Sequence, residues 1–173
     1  MKLLGLDPGL RVTGWGVIAV DGNRLSHIAD GVVSVAATGG LADRLARLYR
    51  GLAAVLAEHD PHEVAVEETF VNRNPASTLK LGQARGVVLL VPALAELPVF
   101  EYSANLIKKS LVGNGHATKD QMTMMVRTLL PGAGLEKADA ADALAVAVCH
   151  AHHRTSPAAR AERAKLDPVG APT

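Results

Sequence analysis

The chain has 173 residues, 18 Lys or Arg against 17 Asp or Glu, a formal net charge of +1 and one cysteine. That length suits a single domain with a core of its own, and a lone Cys149 excludes a disulfide framework within the chain. No apolar run reaches the ~20 residues of a spanning helix, since Val87 to Ala95 is interrupted by Pro92, and no signal-peptide pattern opens the sequence; a soluble, cytoplasmic protein without a membrane partner is expected.

Lys2 to Asp7 alternates Leu and Gly into an acidic end, and Asp7-Pro8-Gly9 supplies turn chemistry before a second extended run, Val12 to Val20. This predicts a hairpin. A third extended segment runs from about Arg24 to Val35, after which apolar residues at 41, 45, 48, 52, 55 and 56 set a helix over Leu41 to Glu58. Beyond Asp60-Pro61, Glu63 to Glu67 reads as a short buried strand, and Asn74-Pro75 opens a helix reaching about Glu96. Leu97 to Glu101 is a fifth strand and Ser103 begins another helix. Thr118 with Gln121 forms a capping box for a helix to about Leu130, and the last helix spans Ala138 to His152. Residues 1–153 are expected to form one domain, with 154–173, rich in Ala, Pro and Arg and lacking apolar periodicity, a disordered tail. The order predicts an α/β fold: a five-stranded mixed sheet flanked by helices, antiparallel at its opening hairpin.

Four carboxylates carry the chemical signal. If the first and fourth strands are parallel neighbours, Asp7 and Glu67 both end at the carboxyl edge where open α/β sheets place their sites. Each could serve a lesser purpose, Asp7 as a turn former, but an acid closing a buried strand needs a cation, a donor or water. Glu67 is preferred to Glu68 because strand alternation puts it on the face of small Ala65, whereas Glu68 shares a face with Val64 and Val66. Asp139 could be an N-cap. Asp142, inside an otherwise apolar Ala-rich helix and three residues further along the same face, demands another explanation. Clustered carboxylates repel one another unless positive charge lies between them, and hard divalent cations such as Mg2+ prefer these oxygen ligands. A metal-dependent phosphoryl-transfer site is the reading.

Charge is unevenly distributed: 6 basic against 9 acidic residues up to Thr69, then 8 against 4 from Phe70 to Lys137. Lys108, Lys109, Lys119, Arg85 and Arg73 are the candidate phosphate contacts of this basic middle, with Arg11 near the first turn as a further one. Cys149 with His150, His152 and His153 invites a zinc reading, against which no second ligand pair stands at convincing spacing.

Gly5-Leu6-Asp7-Pro8-Gly9 with Thr13-Gly14, the segment Leu79 to Gly86, Pro98 to Tyr102 and Ala138 to Ala145 together resemble the bacterial RuvC Holliday-junction resolvases, over roughly residues 2–152. The resemblance implies a ribonuclease-H-like fold and a Mg2+-dependent homodimer that nicks two strands of a four-way DNA junction symmetrically, leaving 5′-phosphate and 3′-hydroxyl ends. It implies Asp7, Glu67, Asp139 and Asp142 as catalytic and metal-binding acids, two ions per site with Mn2+ able to substitute, and a RuvA-RuvB branch-migration complex as partner. It also implies a base-stacking or wedging role for Phe70 and a part in catalysis for Lys108 and Lys119. Gly82 and Gly86, four apart on a helix, allow close packing either within the chain or across a dimer. Three other readings compete: an actin-type nucleotide-binding lobe, for which the chain has length for only one of two lobes; a nuclease acting on RNA:DNA hybrids; and a non-catalytic junction-binding module, which would not require all four acids.

Overall fold

The computed structural model describes residues 1–68 and 75–157. Strands β1 (Lys2–Asp7), β2 (Val12–Asp21) and β3 (Arg24–Ser34) precede α1 (Leu41–His59), β4 (Glu63–Glu67), α2 (Pro75–Leu94) and β5 (Val99–Tyr102), and α3 (Ala104–Val112), α4 (Lys119–Leu129) and α5 (Ala138–His153) follow. Local chemistry sets most of these limits. Asp60, in the left-handed region at φ 47°, closes α1 by donating its N–H to Leu56 O. Ser103 Oγ accepts from Leu106 N–H at the start of α3, and the capping box at α4 is complete, Thr118 and Gln121 each accepting from the other's backbone N–H. Helix α2 stops at Leu94, short of the expected Glu96: Pro92 lies in its last turn, and the N–H groups of Ala95 and Leu97 both return to Pro92 O. That return holds Leu97 out of the sheet, so β5 begins at Val99.

The sheet order is β3-β2-β1-β4-β5, antiparallel across β1, β2 and β3 and parallel from β1 through β4 to β5. This is the five-stranded mixed sheet of the expected ribonuclease-H-like fold. Leu6 pairs with Val66, so Asp7 and Glu67 leave neighbouring parallel strands at one edge. Strand alternation divides the core in two. Leu4, Leu6, Val17, Val64 and Val66 pack beneath Leu48, Leu52 and Val88 of α1 and α2, while Leu3, Ile18, Ala65 and Phe100 pack beneath Ile107, Val126, Leu144 and Val148 of α3, α4 and α5.

Helix α5 is the element on which the second core depends. Ten of its residues, including every position from Ala143 to His150, are buried, as expected for a helix apolar on all sides. It lies so close to the sheet that only glycine fits beneath it. A Cβ at Gly5 would overlap the backbone at Ala143 and Ala147, one at Gly14 would overlap Asp139 O, and one at Gly16 would sit 2.6 Å from Leu144 Cδ2. Gly5 and Gly16 are cross-strand partners, and Gly14 is the partner of Asp7. At the far end of α5, His150 is fully buried, with Nε2 2.8 Å from Glu63 Oε2, Nδ1 2.7 Å from the Tyr102 hydroxyl and its ring stacked 4.6 Å from Phe100. A carboxylate only accepts, so Nε2 carries the proton, and in the neutral ring the Tyr102 hydroxyl donates to Nδ1.

Gly5→Ala should therefore force α5 off the sheet and destabilise the protein by roughly 3 kcal/mol. Urea unfolding would show this as a lowered midpoint at unchanged slope; an unchanged midpoint would mean that the helix rides freely over β1.

Candidate active site

Asp7 ends β1, Glu67 ends β4, and α5 carries Asp139 in its first turn and Asp142 one turn later. Glu67 falls on the α5 side with Ala65, as alternation requires, while the N–H of Glu68 continues the ladder to Tyr102 O. The N-cap position of α5 belongs to Lys137 and has no side-chain cap, so Asp139 is not spent on capping. A cavity of about 370 Å3 is lined by Asp7, Glu67 and Asp142 on one side and by Lys108 of α3 and Lys119 of α4 on the other. Asp139 stands at the rim, bordering a neighbouring cavity, yet still close enough to raise the pKa of Asp7.

The site is electrostatically strained. Burial, then the charges of Glu67, Asp142 and Asp139, push the Asp7 carboxyl up from 3.8 to about 7, and Lys119 offsets part of this. Glu67 is raised too, by burial first and then by Asp142, with Lys108 and Lys119 acting in opposition. Lys119 Nζ lies 3.3 Å from Asp142 Oδ2, and Asp142 is the largest cause of that lysine's raised pKa. Lys119 is otherwise highly exposed, so the pair is held loosely in water.

Among the described residues, no three His, Cys, Asp or Glu side chains already converge as a complete ligand set for one ion. The acids line a gap. What that gap lacks is positive charge rather than donors: its acids offer only oxygen, two of them are held towards their neutral forms, and two lysines are not enough to balance four carboxylates. Hard divalent cations fit such a donor set.

The other expected site residues are placed unequally. Lys108 and Lys119 face the carboxylates, whereas Lys109 is exposed on α3 and does not line the cavity. Arg85 of α2 is ion-paired with Glu101 of β5, a pairing the sequence did not signal. Phe70 and Arg73 lie outside the described residues. The histidines near Cys149 scatter: His150 is committed to Glu63 and Tyr102, His152 to Ser110, and His153 Nδ1 to Cys149 at 3.8 Å from its buried sulfur. Burial pushes the Cys149 thiol up to about 12, the wrong direction for a metal-binding thiolate.

Because the folded-state pKa of Asp7 exceeds its ordinary value, its contribution to stability is whole below about pH 4 and is lost as pH rises through about 7. Asp7→Asn removes that loss. In chelator, the variant should unfold at a higher temperature than the parent at about pH 8, by roughly 5 °C, with the gap closing towards about pH 4. Equal melting temperatures at both pH values would show that the acids do not strain the fold.

Residues 3–150 match the family model described as crossover junction endodeoxyribonuclease RuvC. Proteins of that name from Rhodospirillum rubrum and Paramagnetospirillum magneticum are 68% and 66% identical over 154 residues, covering 89% of this chain and 91% and 93% of theirs. Among solved structures, Thermus thermophilus RuvC aligns with a TM-score of 0.79 at 35% identity, covering 88% of this chain and 95% of that one. The same protein in complex with Holliday junction substrate aligns at 0.80 and 36% identity, covering 88% and 94%. All four acids lie within the matched span, and the chain belongs to the RuvC family of crossover junction endodeoxyribonucleases.

Proposed function

We propose that this chain is a Holliday junction resolvase: a metal-dependent endonuclease that nicks two strands of a four-way DNA junction symmetrically and leaves 5′-phosphate and 3′-hydroxyl ends. The observation that carries the reading is the convergence of Asp7, Glu67 and Asp142, with Asp139 at the rim, opposite a wall of Lys108 and Lys119. That wall attracts a phosphodiester, and the acids across from it repel one unless cations intervene. Mg2+ fits the oxygen-only donor set, with Mn2+ able to replace it, and when bound as a pair supplies water activation on one side of phosphorus and stabilisation of the leaving 3′ oxygen on the other.

The chain's own residues then have distinct tasks. Asp7, Glu67, Asp139 and Asp142 would hold the ions, with Asp7 at the centre of the repulsion. Lys108 and Lys119 would hold the scissile phosphate's neighbours, and Lys119, only loosely held by Asp142, would be able to turn to the DNA. Phe70, three residues after Glu67 in sequence, and Arg73 are assigned to the crossover, Phe70 by wedging against unpaired bases. Lys109 and Arg85 contact the backbone further out, Arg85 after exchanging Glu101 for phosphate.

Symmetric nicking needs two sites related by a two-fold axis, hence a homodimer. The exposed face of α2 supports this: a Cβ at Gly82 or Gly86 would meet nothing within 4 Å, and Leu79 (65% exposed), Leu90 (50%) and Leu94 (62%) continue the same face. Among the described residues, packing within the chain does not use it. A RuvA-RuvB branch-migration complex is the proposed partner and the cytoplasm the proposed location; among the described residues no helix is long and apolar enough to cross a membrane. Residues 1–153 are proposed as the nuclease domain, to which Arg154 is tied by its ion pair with Glu63; residues 158–173 of the expected tail lie outside the described residues.

Cleavage of a synthetic four-way junction in Mg2+ and in chelator, beside linear duplex and an RNA:DNA hybrid, tests the reading. Paired symmetric nicks on the junction alone, lost in chelator, are expected, as is a fall of at least about a hundredfold in Asp7→Asn with junction binding kept. Tight binding without cuts would instead indicate a binding module, and preferential cutting of the hybrid would move the chain to another branch of the fold.

A further inference from the structure

A cationic pocket lies beside the acid-lined one. It is a concavity of about 590 Å3 whose polar lining includes Arg11 from the β1–β2 turn, Arg44 from the first turn of α1, and Ser77 and Lys80 from the start of α2. Asp139 is the one acid among the described residues of that lining. Since Asp139 opens α5 and Asp142 faces the Lys108 and Lys119 wall, the two cavities flank the first turns of one helix.

The pocket is built rather than incidental. Its turn is fixed by Thr13, whose hydroxyl donates to Gly9 O at 2.6 Å and accepts from Gly9 N–H at 3.2 Å, and by Val35 N–H donating to Arg11 O. Arg44 Nη2 donates to Leu10 O at 3.4 Å, which anchors the guanidinium against that turn. Its Nε is enclosed and has no hydrogen-bond partner among the described residues. A buried guanidinium N–H left without an acceptor carries a desolvation penalty that an anion would remove. Among the described residues none of Arg11, Arg44 and Lys80 is in an ion pair, whereas Lys119 is paired with Asp142 and Arg85 with Glu101. Three uncommitted cations against one carboxylate leave the pocket positive.

We propose that Arg11, Arg44 and Lys80 form a second phosphate subsite, which holds a backbone phosphate of the cut DNA strand on the opposite side of the carboxylates from Lys108 and Lys119. The proposal rests on the nuclease reading and deepens it. A strand gripped on both sides of the acids has its scissile phosphate positioned along the line of attack, and contacts of this kind fix register without reading sequence. Arg44 is the positioning residue; Arg11 and Lys80, both exposed, supply most of the salt-dependent affinity.

The test pairs protein and DNA changes. Lys80→Gln alters an exposed side chain and should keep the parent melting temperature; Arg44→Gln is included once its melt is shown to be cooperative. Each is titrated by fluorescence anisotropy with junctions in which one phosphate at a time, on either side of the cleavage point, is a neutral methylphosphonate. For the parent, one position should weaken binding; for Lys80→Gln the unmodified junction should bind more weakly, the salt slope should fall by about 0.9, and that same methylphosphonate should cost nothing further. Losses that multiply at every position, with junction cutting normal, would overturn the subsite and leave the nuclease reading standing. Losses that fail to multiply at one position in a protein that never cuts would keep the subsite and overturn the nuclease reading.

Discussion

Everything at this site depends on one close approach, that of α5 to the hairpin of β1 and β2. Gly5, Gly14 and Gly16 let helix and sheet meet at backbone distance, and the cross-strand pairing of Gly14 with Asp7 ties that contact to the geometry of the acid cluster. The oxygen that a side chain at Gly14 would strike belongs to Asp139 itself. Two acids from strands and two from a helix are thus brought together by packing with no side-chain slack. His150, bonded to Glu63 and Tyr102 at the other end, holds the same helix to β4, the strand beside β1, and to β5 beyond it.

The cost of that geometry is electrostatic. Packing forces carboxylates into a space where burial and mutual repulsion raise two of them, Asp7 furthest. A fold that tolerates this must hold α5 by other means, and it does so with a second core that leaves Leu144, Val146 and Val148 fully buried, each worth about 2 kcal/mol in apolar burial. Stability is supplied by the helix's middle and lost at its first turns. Function requires the unfavourable end, because only unneutralised acids attract the cations that phosphodiester cleavage needs.

Much of this was legible in the chain, for local reasons. The Asp7-Pro8-Gly9 turn, the Asp60-Pro61 stop, the Ser103 cap and the Thr118 box are short-range signals, and each falls where it was expected. The choice of Glu67 over Glu68 needed only strand parity. Less was legible wherever distant segments meet. Nothing local says that Arg85 will find Glu101, or that Glu63, which reads as an ordinary strand start, will be buried against a histidine 87 residues away. Arg11, Arg44 and Lys80 come from three segments, and of these only Arg11 read as a candidate phosphate contact; only the fold gathers them into one pocket. The glycines of β1 and β2 were legible as a motif but not as a floor, because what they make room for comes more than a hundred residues later.

The most direct measurement of the central claim is Mn2+ binding and junction cutting by Gly14→Ala, with far-UV circular dichroism to confirm that the sheet and helices remain. The added methyl should lift the first turn of α5 without removing any acid, so cation affinity should weaken and cutting should fall by about a hundredfold in a folded protein. Parental metal affinity and cutting rate in that variant would contradict the account, since the carboxylates would then work without the contact said to place them.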